Sequence, residues 1–202
     1  MPEFIRERII LDLCGGTGAW SQPYREAGYD VRLVTLPDQD VRTYEPPARV
    51  PGILAAPPCT EFASSGARWW KDKPPEKLAE ALELVATCLW IIGRTNPRWW
   101  ALENPVGRLR KFIGPYRWTF HPWQFGDPWY KRTCVWGEHV RPTPLIPIHE
   151  PPLEVIDERH NPGLPRAIRA DWIHRLGPSP ERAALRSITP PAFARAFFEA
   201  NR

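Results

Sequence analysis

The run 8–14, RIILDLC, passes without a break from apolar, β-branched residues into the glycine turn GGTGAW. A strand with no polar face has to be covered on both sides, which puts it inside a parallel sheet flanked by helices. A short helical pattern in SQPYREAG then leads to a second strand, DVRLVTL, and GILAA (52–56) reads as a third. PPEKLAEALELVATCLWIIG is an amphipathic helix with Leu78, Leu82, Val85, Leu89 and Ile92 on one face, Pro75 in its first turn and Gly93 as its stop. RWWALEN (98–104) and KRTCVWG (131–137) supply further strands, and PPAFARAFFEANR a closing helix with Phe193, Ala196 and Phe197 at helical spacing. Strand and helix in alternation predict an α/β, Rossmann-like fold: an open, mostly parallel twisted sheet flanked by helices.

The chain of 202 residues suffices for one well-cored domain. The expected division is an α/β body over 1–137, a proline-rich loop region over 138–180, and a C-terminal segment and helix over 181–202 that returns to the body. No signal region and no stretch near the ~20 apolar residues of a membrane helix is visible, so the reading is a cytoplasmic protein with no membrane partner. Cys14, Cys59, Cys88 and Cys134 are widely spaced, with no CxxC and no Cys/His pair, which predicts neither a disulfide framework nor a metal site. Five lysines among 27 basic residues leave 22 arginines, the side chain suited to phosphates and base edges, on a chain of net charge +4. The 11 tryptophans and 26 prolines fit either a base-stacking surface or plain rigidity.

Three short stretches carry chemistry. Gly15, Gly16 and Gly18 directly after a buried strand allow a tight turn and a close approach of backbone to a ligand, though the spacing is not GxGxxG and disfavours a hydride-transfer dinucleotide. In GILAAPPCTEF, Pro57 and Pro58 hold the chain extended ahead of Cys59, so the thiol is presented from a stiff loop at a strand end. Glu103 ends an apolar strand in WALENP, where an unpaired carboxylate is costly and a ligand contact would account for it. Cys88 and Cys134 fall inside element patterns and read as packing. Downstream of the thiol, Arg68, Lys71 and Lys73 interleave with Trp69 and Trp70, a pattern that suits either nucleic-acid contact or a tryptophan pair capping the core beside solvated charge.

DLCGGTGAW, APPC and ENP, in that order, resemble the signatures of the cytosine-5 DNA methyltransferases, and LRSITPPAFARAF is similar to that family's last cofactor-side element. The resemblance looks closest to compact, phage-type members. It implies S-adenosylmethionine as cofactor, with Asp12, Gly15, Gly16 and Gly18 at its methionine end, Asp38 for the ribose, Asp40 for the adenine amino group and Ser187 in the last element. Cys14 stands where an aromatic is usual. Arg186 is implied at the methionine carboxylate or at a donor carrying a further negative group. Cys59 is implied as the nucleophile, Glu103 as the partner of cytosine N3 and its amine, and Arg132, counted back from Gly137, as the ligand of the cytosine carbonyl. Pro58, Asn104, Arg68, Trp69 and Lys71 would meet the substrate. Cytosine-containing DNA is the implied partner, with a flipped base if the DNA is duplex. RNA, a free cytidine nucleotide, or a silent nucleic-acid-binding module with the same fold are the alternatives, because 138–180 is short for a target-recognition region.

Overall fold

A computed structural model of the chain describes residues 8–127, 129–146 and 185–202. Six strands, β1 (Ile9–Leu13), β2 (Asp30–Val34), β3 (Gly52–Ala55), β4 (Trp99–Pro105), β5 (Trp118–Phe120) and β6 (Thr133–Trp136), form one sheet in the order β2-β1-β3-β4-β6-β5. β2, β1, β3 and β4 are parallel, whereas β6 runs antiparallel to both its neighbours. The fold is the expected α/β, Rossmann-like class. Strand order reverses at β1, which has β2 on one side and β3 on the other, so a crevice opens at the carboxyl ends of these strands.

Alternation along each strand divides the core. Leu11, Leu13, Ile53, Ala55, Leu102, Cys134 and Trp136 face the long helix α2 (Pro75–Thr95) and its Val85, Cys88 and Ile91. Ile10, Leu54, Ala101 and Val135 face the other way, onto Trp20, onto Tyr24 of α1 (Gln22–Glu26) and onto Phe193 and Phe197 of the closing helix. The short α3 (Arg110–Ile113) precedes β5. The closing helix, α4 (Pro191–Ala200), is held at its start by the buried Asp127 carboxylate, which accepts from the Ala192 and Phe193 amides at 3.1 and 3.2 Å. Phe193 stacks on Phe120 with ring centroids 3.9 Å apart.

Helix α2 departs from expectation in two respects. Its buried stripe runs through Ala81, Val85, Cys88 and Ile92, leaving Leu78, Leu82 and Leu89 on the flanks. Gly93 is exposed inside the helix and does not stop it. The stop is Asn96, in the left-handed conformation with φ 45°, its amide donating to the Ile92 carbonyl, just ahead of Pro97. The tryptophans divide as well: Trp20, Trp118, Trp123 and Trp136 are buried, whereas Trp69 and Trp90 are about half exposed.

Residues 138–146 leave β6 and return beside α4, where Asn201 exchanges side-chain hydrogen bonds with the Val140 amide and carbonyl at 2.8 and 2.9 Å. The rest of the expected loop region, 147–180, and residues 181–184 lie outside the described residues. Among the described residues no helix is long and apolar enough to cross a membrane, and no group of three His, Cys, Asp or Glu side chains could hold a metal ion.

Candidate active site

A cleft of about 1070 Å³ opens at the carboxyl edge of the sheet, running from the glycine turn after β1 to the loops after β3 and β4. At its first end, Gly16 and Gly18 have φ of +56° and +72°, and the Gly16 amide donates to Thr35 Oγ1 at 3.2 Å. Gly15 lies directly over Asp12: a Cβ there would sit 2.3 Å from the Asp12 carboxyl. Asp12 is fully buried. Its Oδ2 accepts from Ser21 Oγ at 2.6 Å, and its Oδ1 has no partner among the described residues. Burial raises its pKa to about 6, against the smaller opposing effects of the Ser21 bond and Arg25.

Gly15 and Gly16 line the cleft directly, whereas Asp12 and Gly18 shape the turn from behind. Asp40 lines it too, already engaged: its carboxylate accepts from the Arg42 amide at 3.0 Å and pairs with the Arg42 guanidinium, which lowers its pKa. Asp38 is exposed and not among the lining residues. Cys14 forms part of the wall with φ 55°, its Sγ 4.0 Å from that of buried Cys88, and this contact lowers the Cys14 pKa.

At the other end, the loop after β3 and the loop after β4 are fastened together. Asn104 Nδ2 donates to the Pro57 carbonyl at 2.9 Å, the Ser64 amide to Val106 at 2.8 Å, and the Arg108 amide to Phe62 at 2.9 Å. Residues Ala63 and Gly107 form an antiparallel bridge so close that a Cβ on Gly107 would fall 1.8 Å from the Phe62 carbonyl oxygen. Glu61, nearly buried, anchors the same region through Lys73 at 2.8 Å and Arg108 at 3.9 Å. Cys59 and Glu103 hang from this frame. The Cys59 carbonyl accepts from the Phe62 and Ala63 amides, both at 2.9 Å, and its half-buried thiol is left facing the cleft.

Glu103 is only 7 % exposed, and its Oε2 has no hydrogen-bond partner among the described residues. Burial raises the pKa of both groups, and the Lys131 charge opposes that shift in each; at Cys59, Glu103 raises it further and Arg186 lowers it. A buried, unpartnered carboxyl beside a cleft-facing thiol is an arrangement a self-contained core would not keep.

Arg132 lines the same wall, immediately ahead of β6 and outside the strand in which it was expected. Ser187 and Arg186 reach the cleft from the C-terminal segment, and Arg186 Nη2 donates to Ser65 Oγ at 3.3 Å. The stretch in which basic residues and tryptophans interleave is a 3-10 segment, Ser64–Asp72. In it Trp69 lines the cleft with the Arg68 guanidinium 3.8 Å above its ring, while Arg68 and Lys71 are exposed outside the wall. Pro58 and Asn104 both line the cleft. Sequence reasoning missed Lys131, passing over it in the count to Arg132; the signal lay in its place just before a strand that begins at the site's edge.

No family model and no curated protein matches the chain. Among solved structures it has a likeness to an E. coli protein described as a DNA modification methyltransferase encoded within a prophage, with TM-score 0.48 and 16% identity. The aligned part covers 64% of this chain and 46% of that one, so this chain spans less than half of that neighbour's length. At that level of similarity the function has to be read from the cleft itself.

Proposed function

We propose that the chain is an S-adenosylmethionine-dependent methyltransferase acting on carbon 5 of cytosine in DNA, a cytosine-5 methyltransferase of compact form. One observation carries the reading: a cleft-facing thiol and a buried, unpartnered carboxyl are held on one frame at one end of a cleft whose other end is a glycine turn.

The cofactor fits the turn on this chain's own features. Bare backbone at Gly16, where an added Cβ would meet nothing within 4 Å, leaves room for an amino-acid portion, Asp12 Oδ1 lacks a partner behind the turn, and Asp40 and Val41 flank the far wall. When bound, it supplies an electrophilic methyl group. Carbon 5 of cytosine is too electron-poor to take that methyl unaided. The Cys59 thiolate adds to carbon 6, forming an S–C bond and driving the ring electrons toward N3, where the Glu103 carboxyl supplies a proton while its second oxygen accepts from the exocyclic amine. Burial raises the pKa of Glu103, which eases its protonation ahead of that donation. Carbon 5, now enamine-like, takes the methyl as the bond to the donor's sulfur breaks; loss of the carbon-5 proton to solvent, expulsion of the Cys59 thiolate and return of the N3 proton to the Glu103 carboxylate restore the ring. Arg132 is assigned to the ring carbonyl, supported by its position on the cleft wall. Trp69 and Arg68 are assigned to the nucleic acid, supported by the exposed stack they form at the cleft mouth.

The test is incubation with methyl-tritiated S-adenosylmethionine and mixed-sequence DNA, followed by nucleoside analysis. Labelled 5-methylcytosine is expected, with loss of transfer and of covalent trapping on 5-fluorocytosine DNA in Cys59→Ser. Full activity of Cys59→Ser refutes the mechanism. Transfer confined to RNA or dCMP keeps the chemistry and overturns the substrate, and cofactor binding without transfer to any of the three makes the protein a silent binding module.

A further inference from the structure

We infer that Lys131 is the positioning cation of this site, an ammonium on the same cleft lining as the Cys59 sulfur and the Glu103 carboxyl that favours the sulfur's nucleophilic form. The inference rests on the reading of Cys59 as the attacking thiol. It follows from the topology of the sheet. The parallel strands β3 and β4 deliver Cys59 and Glu103 at their carboxyl ends, and a residue just before another parallel strand would lie at the opposite edge. β6 is antiparallel to β4, so its beginning lies at the carboxyl edge, with Thr133 opposite Pro105. Lys131, two residues earlier, is thereby brought to the cleft wall. Its backbone is pinned there: Thr133 Oγ1 donates to the Lys131 carbonyl at 3.1 Å, and the Val106 amide donates to the Arg132 carbonyl at 3.2 Å.

The other charged groups around the thiol leave this role to Lys131. Glu103, from β4, opposes the sulfur anion. Arg186, from the C-terminal segment, favours it less than Lys131 does and is engaged with Ser65. On the thiol's own loop, Glu61 is held by Lys73 and Arg108. Arg132 lines the same wall and is assigned to the ring carbonyl. Lys131 favours the charged form of both buried groups, and a cation near a thiol is the ordinary means of making it reactive at neutral pH.

Alkylation by iodoacetamide tests this without cofactor or nucleic acid. The thiolate displaces iodide, forming an S–C bond, and mass spectrometry of the peptide containing Cys59 follows the rate from pH 6 to 10. Lys131→Met and Lys131→Gln are expected to alkylate roughly three- to tenfold more slowly than wild type at pH 7.5, with the rate recovered at higher pH. Lys131→Arg is expected to stay close to wild type. Glu103→Gln is expected to move the profile the other way, toward faster reaction at neutral pH. A profile unmoved in both Lys131→Met and Lys131→Gln, at unchanged melting temperature, overturns the inference, as does an unmoved profile in Glu103→Gln. Absence of methyl transfer by the wild type would sink the proposed function while leaving this alkylation shift intact, so the two failures are distinguishable.

Discussion

Gly107→Ala should break the frame on which the thiol and the carboxyl hang. The added Cβ would lie 1.8 Å from the Phe62 carbonyl oxygen, 2.7 Å from its carbon and 2.9 Å from the Ser64 nitrogen. All three atoms are backbone, so no side-chain rotation relieves the clash, and the loops have to part by roughly 1 Å or more. That separation stretches the Ser64-to-Val106 and Arg108-to-Phe62 bonds, now 2.8 and 2.9 Å, beyond useful length. Two lost hydrogen bonds at about 1 kcal/mol each and an overpacking strain of about 1–3 kcal/mol sum to a destabilisation of about 3–5 kcal/mol. Urea unfolding at constant m-value measures it. Gly93→Ala is the matched control: it lies exposed within α2, its added Cβ meets nothing within 4 Å, and it should stabilise by about 0.5–1 kcal/mol. A loss below about 1 kcal/mol in Gly107→Ala, or the same sign in both variants, would refute the reasoning.

Two further outcomes are expected. The folded pKa of Asp12, about 6, lies above its unfolded value of 3.8, so its contribution to stability is full below pH ~4 and is lost as pH rises through about 6. Asp12→Asn should therefore gain on wild type by on the order of 3 kcal/mol between pH 4 and 7.5 in denaturation series, and a pH-independent difference would count against that burial cost. Asn104→Ala leaves the Pro57 carbonyl without its side-chain donor and should cost about 1–3 kcal/mol by thermal unfolding, with a larger proportional loss in methyl transfer than in folded fraction; equal losses in the two would make Asn104 a purely structural residue.

The parts of the protein legible in sequence were those in which local pattern and tertiary environment agree. β1, apolar but for the buried Asp12, and β3 have both faces covered, and the glycine turn, Pro57–Pro58–Cys59 and Glu103–Asn104 directly follow or end such runs. Helix α2 was legible in existence but not in phase or end: leucines on its flanks outnumber the smaller Ala81 and Cys88 that face the sheet, and Asn96 stops it through a left-handed turn a glycine was expected to provide. β5 is three residues long, below the length at which alternation is readable. The roles of Glu61, joined to Lys73 and Arg108 across 12 and 47 residues, and of Lys131 depend on chain reversal in space, which leaves no local trace. Lys73, grouped by composition with a nucleic-acid patch, is accordingly an internal tie.

The spacing of Cys59 and Glu103 is written in backbone hydrogen bonds between two loops rather than in the packing of side chains around them. Leu36 and Trp69 line another part of the cleft wall, and neither takes part in these loop-to-loop bonds. Divergence of the protein toward another substrate therefore has a place to happen: residues of that wall can be exchanged for others of different bulk or charge while the distance between the reacting groups is inherited unchanged.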